Sequence, residues 1–398
     1  MISTLLLVII YLSFISLGLP DSLLGAAWPS MYQGLAVPLH YAGFISMIIA
    51  GGTVISSAFS ARIIRRLGTG LVTAISVLMT AVALLGFSLS NAFALLCLWA
   101  VPLGLGAGSV DAALNNYIAL HYKARHMSWL HCFWGIGASM GPIIMSFYLI
   151  NTNSWNLGYR TIGIIQCCLV FILFAAISLW GKNAAKNQND ESSISEKVPF
   201  RELFRITGVK QVLIVFFSYC SIEVVAGLWG SSYLVMGKNI SPETAAQWIS
   251  LYYIGITFGR FISGFLSMKL SNRQMIRLGQ GLVACGAAVL MIPAGKVLLL
   301  PGLFMIGLGC APIFPSLLHE TPKNFGAEKS QAIMGIQMAS AYIGSTFMPP
   351  VFGRIASYTG FDILPLFIGA ILILQFLLLE SLYRKLDNLA LPNGENQK

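Results

Sequence analysis

Apolar residues in this chain come in runs of about twenty, separated by short polar turns, and the runs recur along its whole length. As helices rising 1.5 Å per residue, runs of this length cross about 30 Å of hydrocarbon. The pattern predicts helices over residues 3–33, 40–63, 69–90, 94–122, 128–150 and 158–181, then 210–236, 244–268, 273–292, 297–318, 330–352 and 362–385. The first run is long and lacks a basic leader region, so it is expected to remain as a spanning helix. Residues 182–209 are different. They include Asn187-Gln188-Asn189-Asp190-Glu191, a polar stretch too poor in apolar groups to fold alone. This linker, with a short surface helix over 200–206, divides the chain into halves of six spans, residues 1–181 and 210–398. The expected fold is an all-α membrane protein of twelve transmembrane helices in two pseudo-symmetric six-helix bundles.

The halves read as repeats. With Asp21 set against Glu223, Ser16 meets Ser218 and Gly25 meets Gly227 without a gap, while Trp28/Trp229 and Tyr32/Tyr233 differ by one position. Gly104-Leu-Gly106 echoes Gly307-Leu-Gly309, and Gly52 echoes Gly255. Any one such match arises easily among apolar helices; matches in corresponding segments point to duplication. Gly18, Pro20 and Gly25 are expected to break the first segment near Asp21, and Gly141-Pro142 and Pro349-Pro350 to interrupt the fifth and eleventh. Most of the glycines read as close helix contacts.

Composition fits a lipid-covered protein: 57% hydrophobic and 10% charged residues, against about 25% charged in ordinary soluble domains. The net charge of +10 invites a nucleic-acid reading, which its distribution rejects. Arg62, Arg65 and Arg66 follow the second run, Lys123 and Arg125 the fourth, and Lys269, Arg273 and Arg277 the eighth. Lys323 and Lys329 follow the tenth, and Arg384 and Lys385 close the twelfth. The linker adds Lys182, Lys186, Lys197, Arg201, Arg205 and Lys210, whereas the alternate loops carry one cation each. This positive-inside bias predicts a cytoplasmic (inner) membrane protein with both termini and the linker in the cytoplasm. All seven cysteines lie inside apolar runs, without metal-ligand spacing, and read as small fillers.

Three acids are embedded in these runs: Asp21, Asp111 and Glu223. An ionisable group in hydrocarbon is costly and marks a functional site by default. Asp111 shares a helix face with Asn115, one turn on, which suits proton exchange or hydroxyl binding. A protonated Asp that merely bonds a neighbouring helix is the alternative. Asp21 and Glu223 lie about 15–25 Å along their helices from the cytoplasmic end, in corresponding segments that are expected to face a central cavity. His131 is a proton relay or a satisfied core histidine. Trp28, Trp134 and Trp229 offer apolar faces to a sugar or simply pack. Gln337, Gln166 and Tyr253 are candidate hydroxyl-binding groups. Arg260 is expected at a gate or in a structural contact, snorkelling toward the cytoplasmic face or bonding carbonyls and an acid there. No nucleotide-binding glycine motif or metal cluster is present, so an enzyme, a cofactor and ATP drive are not expected.

On these residues the chain resembles the major facilitator superfamily over essentially its whole length. The superfamily's loop motif survives in part as Arg65-Arg66-Leu67-Gly68, with Arg65 where an acid is expected; the resemblance implies a gating role for Arg65 and Arg66. Within it, the chain is most similar to the fucose–proton symporter branch, whose fourth helix carries Gly-Leu-Gly-Cys-Leu-Glu-Thr-Ala-Ala-Asn-Pro-Phe, similar to Gly106 through Tyr117. The resemblance implies protonation at Asp111, an amide contact at Asn115 and sugar binding at Asp21. The branch's Gln-Thr-Phe-Asn is replaced by His131-Cys132-Phe133-Trp134, a departure that bears on which sugar is bound. The expectation is a monomeric, proton-coupled symporter of a small polar solute, a monosaccharide or polyol, working by alternating access. Asp111, Asp21 and Glu223 would couple protons, and Asp21, Asn115, His131, Trp134, Glu223, Gln337, Trp28 and Trp229 would line the solute site. The alternatives are a proton-coupled exporter of amphipathic or drug-like compounds, and a transport-dead sensor or scaffold.

Overall fold

A computed structural model describes residues 2–122, 124–184, 200–293 and 295–390. Within these, helix dominates. The first half holds α1 (Ile2–Asp21, resumed after Ser22 as Leu23–Met31), α2 (Ala42–Leu67), α3 (Thr69–Leu89), α4 (Phe93–His121), α5 (Ala124–Thr152) and α6 (Trp155–Ala175). The second holds α7 (Val209–Ser232, extended by a wider turn over Tyr233–Gly237), α8 (Pro242–Leu266), α9 (Asn272–Met291), α10 (Leu299–Phe325), α11 (Ala327–Thr359) and α12 (Leu364–Ala390). Of the linker, residues 185–199 lie outside the described residues; a single helical turn, Phe200–Leu203, stands within the surface helix expected over 200–206.

Eleven of these helices are long and apolar enough to cross a membrane. The exception is α11. At 33 residues it is long enough, but Ser330, Gln331, Gln337, Ser340, Ser345 and Thr346 are spread so that no stretch of spanning length is sufficiently apolar. The expected breaks are only partly found. The first segment does break, at Ser22 directly after Asp21, whereas α5 and α11 run unbroken through Pro142 and Pro349-Pro350. A proline in a packed membrane helix loses one backbone bond, which neighbouring groups offset without ending the helix.

The internal repeat is visible as repeated packing. In the first half Gly52 of α2 lies on the backbone of Gly104 and Leu105 in α4, and Gly104 on the Ile49 carbonyl. In the second half Gly255 of α8 lies on Phe304 and Leu308 in α10, and Gly307 on the Tyr252 carbonyl. Gly106 meets Ser76 and Thr80 of α3 as Gly309 meets Gly279 and Val283 of α9. One constant residue offset relates these pairs, Phe304 apart. Small residues let backbones approach closely where lipid provides no hydrophobic drive between helices.

The two bundles touch along α5–α8 and α2–α11, and where the Leu23–Met31 segment of α1 meets α7 and α8. Gly25 rests on Gly227 and Leu228, Gly43 on Pro350, and Ser146 Oγ donates to the Glu243 carbonyl at 2.8 Å. These contacts sit at the end remote from the linker, and they seal it. Between that seal and the linker-side end lies a cavity.

Candidate functional site

The cavity encloses about 350 Å³ and is walled by α1, α2, α4 and α5 from the first bundle and by α7, α8 and α11 from the second. Asp21 lines it where α1 breaks. Its carboxylate is exposed to the cavity, and Oδ2 accepts the indole N–H of Trp134 at 2.7 Å. Across the cavity Glu223 Oε1 stands 3.5 Å from a guanidinium nitrogen of Arg260, both side chains about one-fifth exposed. The same guanidinium lies over the Trp134 ring, 4.7 Å from its centroid. A row Asp21–Trp134–Arg260–Glu223 therefore runs from one bundle to the other. Tyr252 fixes the Glu223 segment by donating its hydroxyl to the Glu223 carbonyl at 2.8 Å, and Tyr253 completes that wall.

Asp111 and Asn115 face one another as their spacing predicts: Asn115 Nδ2 donates to Asp111 Oδ1 at 2.9 Å and to its carbonyl at 3.0 Å. Both are half-buried. Asp111 stands outside the cavity lining, one turn beyond the lining residue Ala107, and is close enough for its charge to act on Asp21 and Tyr342. His131 is half-buried one turn before Trp134, edge-on to Phe14 at 5.9 Å, also outside the lining.

Several expected site residues are placed elsewhere. Trp28 is fully buried in the core and its indole N–H is taken by the Leu39 carbonyl. Trp229, equally buried, donates to the Pro349 carbonyl at 2.8 Å. With the N–H satisfied and the ring enclosed by Phe352 and Phe361, it presents no face to the cavity. Gln337 is sealed in and accepts from Thr321 Oγ1 at 3.0 Å. Gln166 ties three helices of the first bundle together, accepting from Thr80 at 2.7 Å and donating to the Ser16 carbonyl at 2.7 Å. Arg260 takes the acid contact that was one of its expected settings: it turns into the cavity, where Glu223 and the Trp134 face together offer its charge a better setting than apolar surroundings. Arg65 and Arg66 are exposed at the end of α2, away from the cavity.

Sequence reasoning passed over Ser46, Thr53, Tyr252, Tyr342 and Ser345, all of which line the cavity. Two signals were available. Ser46 and Thr53 are seven residues apart, hence on one face of α2, and Tyr342 and Ser345 lie on α11, the long helix whose polar residues interrupt every apolar stretch of spanning length. Among the described residues, no three His, Cys, Asp or Glu side chains group as a metal site would require.

Comparison with known proteins decides the family. The sequence model of the Major Facilitator Superfamily matches residues 10–349, and again 212–396. The chain belongs to the major facilitator superfamily. It is a multi-pass membrane transporter of that family rather than an enzyme. Among its relatives is the glucose/mannose transporter GlcP of Bacillus subtilis, 24% identical over 260 residues, a match that spans 62% of each chain. Bypass of stop codon protein 6 of Saccharomyces cerevisiae is 22% identical over 94% of this chain and 81% of its own length. Among solved structures, the nucleoside transporter NupG superposes with a TM-score of 0.75 at 16% identity, covering 95% of this chain and 99% of that one. A bacterial homologue of the lysosomal transporter Spinster, in an inward-facing conformation, superposes at 0.74 and 11% identity, over 96% and 98%. At these identities the structures establish the superfamily's fold.

Proposed function

We propose that this superfamily member imports a small polar solute, a monosaccharide or polyol, together with protons, by alternating access between units 1–181 and 210–398 joined by the linker 182–209. It works as a monomer in the cytoplasmic membrane with both termini in the cytoplasm. Asp111, Asp21 and Glu223 exchange the coupled protons, with Asp111 as the principal carrier; Asp21 and Glu223, together with Trp134 and Tyr253, also contact the solute, and Asn115 and His131 support from beside the cavity. The observation that carries the reading is the cavity itself: hydroxyl-binding carboxylates and an aromatic face meet in a space between the bundles at the lower end of the roughly 300–1,000 Å³ usual for small-molecule sites. The sugar transporter among the relatives and the resemblance of Gly106–Tyr117 to the fucose–proton symporters support the choice of solute. Coupling requires the protonated and ionised carboxyl to favour different openings, because a ligand shifts a conformational equilibrium only by its differential affinity.

Proteoliposomes under an inward proton gradient test this with D-glucose, D-mannose, L-fucose and a polyol such as mannitol. The expected result is accumulation of at least one solute, abolished by Asp111→Asn while exchange without net proton movement persists. Undiminished accumulation by the Asn variant removes Asp111 from the coupling role. A second reading, export of amphipathic cations, draws on the mainly apolar wall formed by Leu24, Ile49, Leu103, Val224, Leu228 and Ile256 around two acids. Drug resistance on overexpression, without uptake of any sugar or polyol, selects it.

A further inference from the structure

Trp134 touches charged side chains of both bundles. Its N–H is held by Asp21 of α1, and its ring face carries Arg260 of α8. We propose that Trp134 is a positioning residue that transmits the charge on Asp21 in one bundle to Arg260 in the other, so that discharging Asp21 loosens the grip between the bundles beside the cavity. The inference rests on the proton-coupled reading above and adds to it a physical link.

An indole N–H given to a carboxylate is a charge-assisted bond, shorter and stronger than a neutral one. Bonds in a low-dielectric site polarise one another, so the carboxylate pushes electron density onto the ring. A guanidinium over that face is attracted to the same density. When Asp21 gains a proton the polarisation is lost. Arg260 then holds the ring face more weakly, and its other partner, Glu223, is distant at 3.5 Å and lies within its own bundle. A solute that stacks on Trp134 acts on the same joint, because Arg260 already occupies that face.

Other charged and titratable groups surround the pair: Asp111 from α4, His131 from α5, Glu223 from α7, Tyr253 and Arg260 from α8, and Tyr342 from α11. The test must therefore separate Asp21 from the remaining acids. Spin labels at Leu67→Cys and Met268→Cys, both exposed at the linker-side ends of α2 and α8, report bundle separation without any solute. The measurement is the distance distribution at acidic and at alkaline pH, in a background with the seven native cysteines replaced. The parent is expected to change its distribution with pH, and Asp21→Asn to remove most of that change. Trp134→Phe keeps the ring but lacks the N–H, and is expected to cut the pH-driven change in population ratio about tenfold, as Asp21→Asn does. Arg260→Gln breaks the link from the other side and carries the test if Trp134→Phe does not fold. The double variant is expected to lose no more than either single, since both remove one link. A full pH response in Trp134→Phe or Arg260→Gln, alongside its loss in Asp21→Asn, overturns the relay while leaving proton coupling standing. A parent with no pH response overturns both.

Discussion

A methyl group added at Gly25 tests whether the seal between the bundles sets the conformational balance. A Cβ built there would lie 2.6 Å from the Gly227 carbonyl oxygen, 2.9 Å from that of Leu228 and 3.0 Å from the Leu228 Cα. All three are backbone atoms of α7 in the opposite bundle, so no side chain can swing away; the helices must part. Overpacking a close contact costs about 1–3 kcal/mol, and a clash with fixed backbone belongs in the upper part of that range. A cost of about 2–3 kcal/mol falls on the conformation in which this end is closed. In the proposed cycle the other conformation opens this end and escapes it. At 1.4 kcal/mol per decade, Gly25→Ala moves the ratio of the two states roughly 30- to 150-fold.

Gly104→Ala is the matched control. There the added carbon meets the Ile49 backbone within the first bundle, a contact that rigid-body motion of the bundles preserves. It should lower stability by a similar amount without moving the equilibrium. Electron–electron distance measurements between labels at Gln33→Cys and Met236→Cys, exposed on the sealed end, read the shift directly. Gly25→Ala should lengthen that distance, and Gly104→Ala should only lower the melting temperature. Equal distance distributions in the two variants, with equal losses of stability, would refute the idea that the Gly25–Gly227 contact belongs to one state.

The buried tryptophans should behave unlike Trp134. Trp28→Phe and Trp229→Phe each leave a carbonyl without its donor, part-buried at Leu39 and buried at Pro349, so thermal denaturation should show a loss of about 1–3 kcal/mol, with solute affinity in a binding titration unchanged. Gln166→Leu removes two interhelical bonds inside the first bundle. Bonds of this kind in membranes contribute about 0.6 kcal/mol each and at most about 2, so a modest drop in melting temperature with an unaltered pH profile of transport is expected.

The spans and the duplicated glycines were legible because each rests on local chemistry: apolar runs of spanning length, and positions where only hydrogen fits between backbones. Asp21 and Glu223 were legible as cavity groups for a related reason, since charge in hydrocarbon needs a wet or paired setting. The three tryptophans show where the sequence stops. All lie in apolar helices, yet two bury their N–H against carbonyls, at Leu39 and Pro349, while Trp134 meets a carboxylate. Which partner each finds depends on helix rotation, and packing of the whole bundle sets that. The direction of Arg260 was hidden likewise, since a cation within two turns of a helix end snorkels or turns inward according to what the neighbouring helix presents.

The repeat offset separates packing from chemistry in a way that neither half shows alone. At the offset that places Gly52 on Gly255 and Gly104 on Gly307, Asp111 falls on Phe314, Trp134 on Gln337 and Arg260 on Ser57. The matched positions are those where helices press together, so both copies obey the same steric demand. Two of the unmatched positions, Trp134 and Arg260, carry the indole and the cation that join Asp21 to Glu223. A duplicated scaffold gives two bundles able to rock symmetrically, but a proton and a solute must be sensed by one of the bundles and felt by the other. That asymmetry has to come from residues that break the repeat, and two of them, Trp134 and Arg260, meet on the cavity wall where α5 crosses α8.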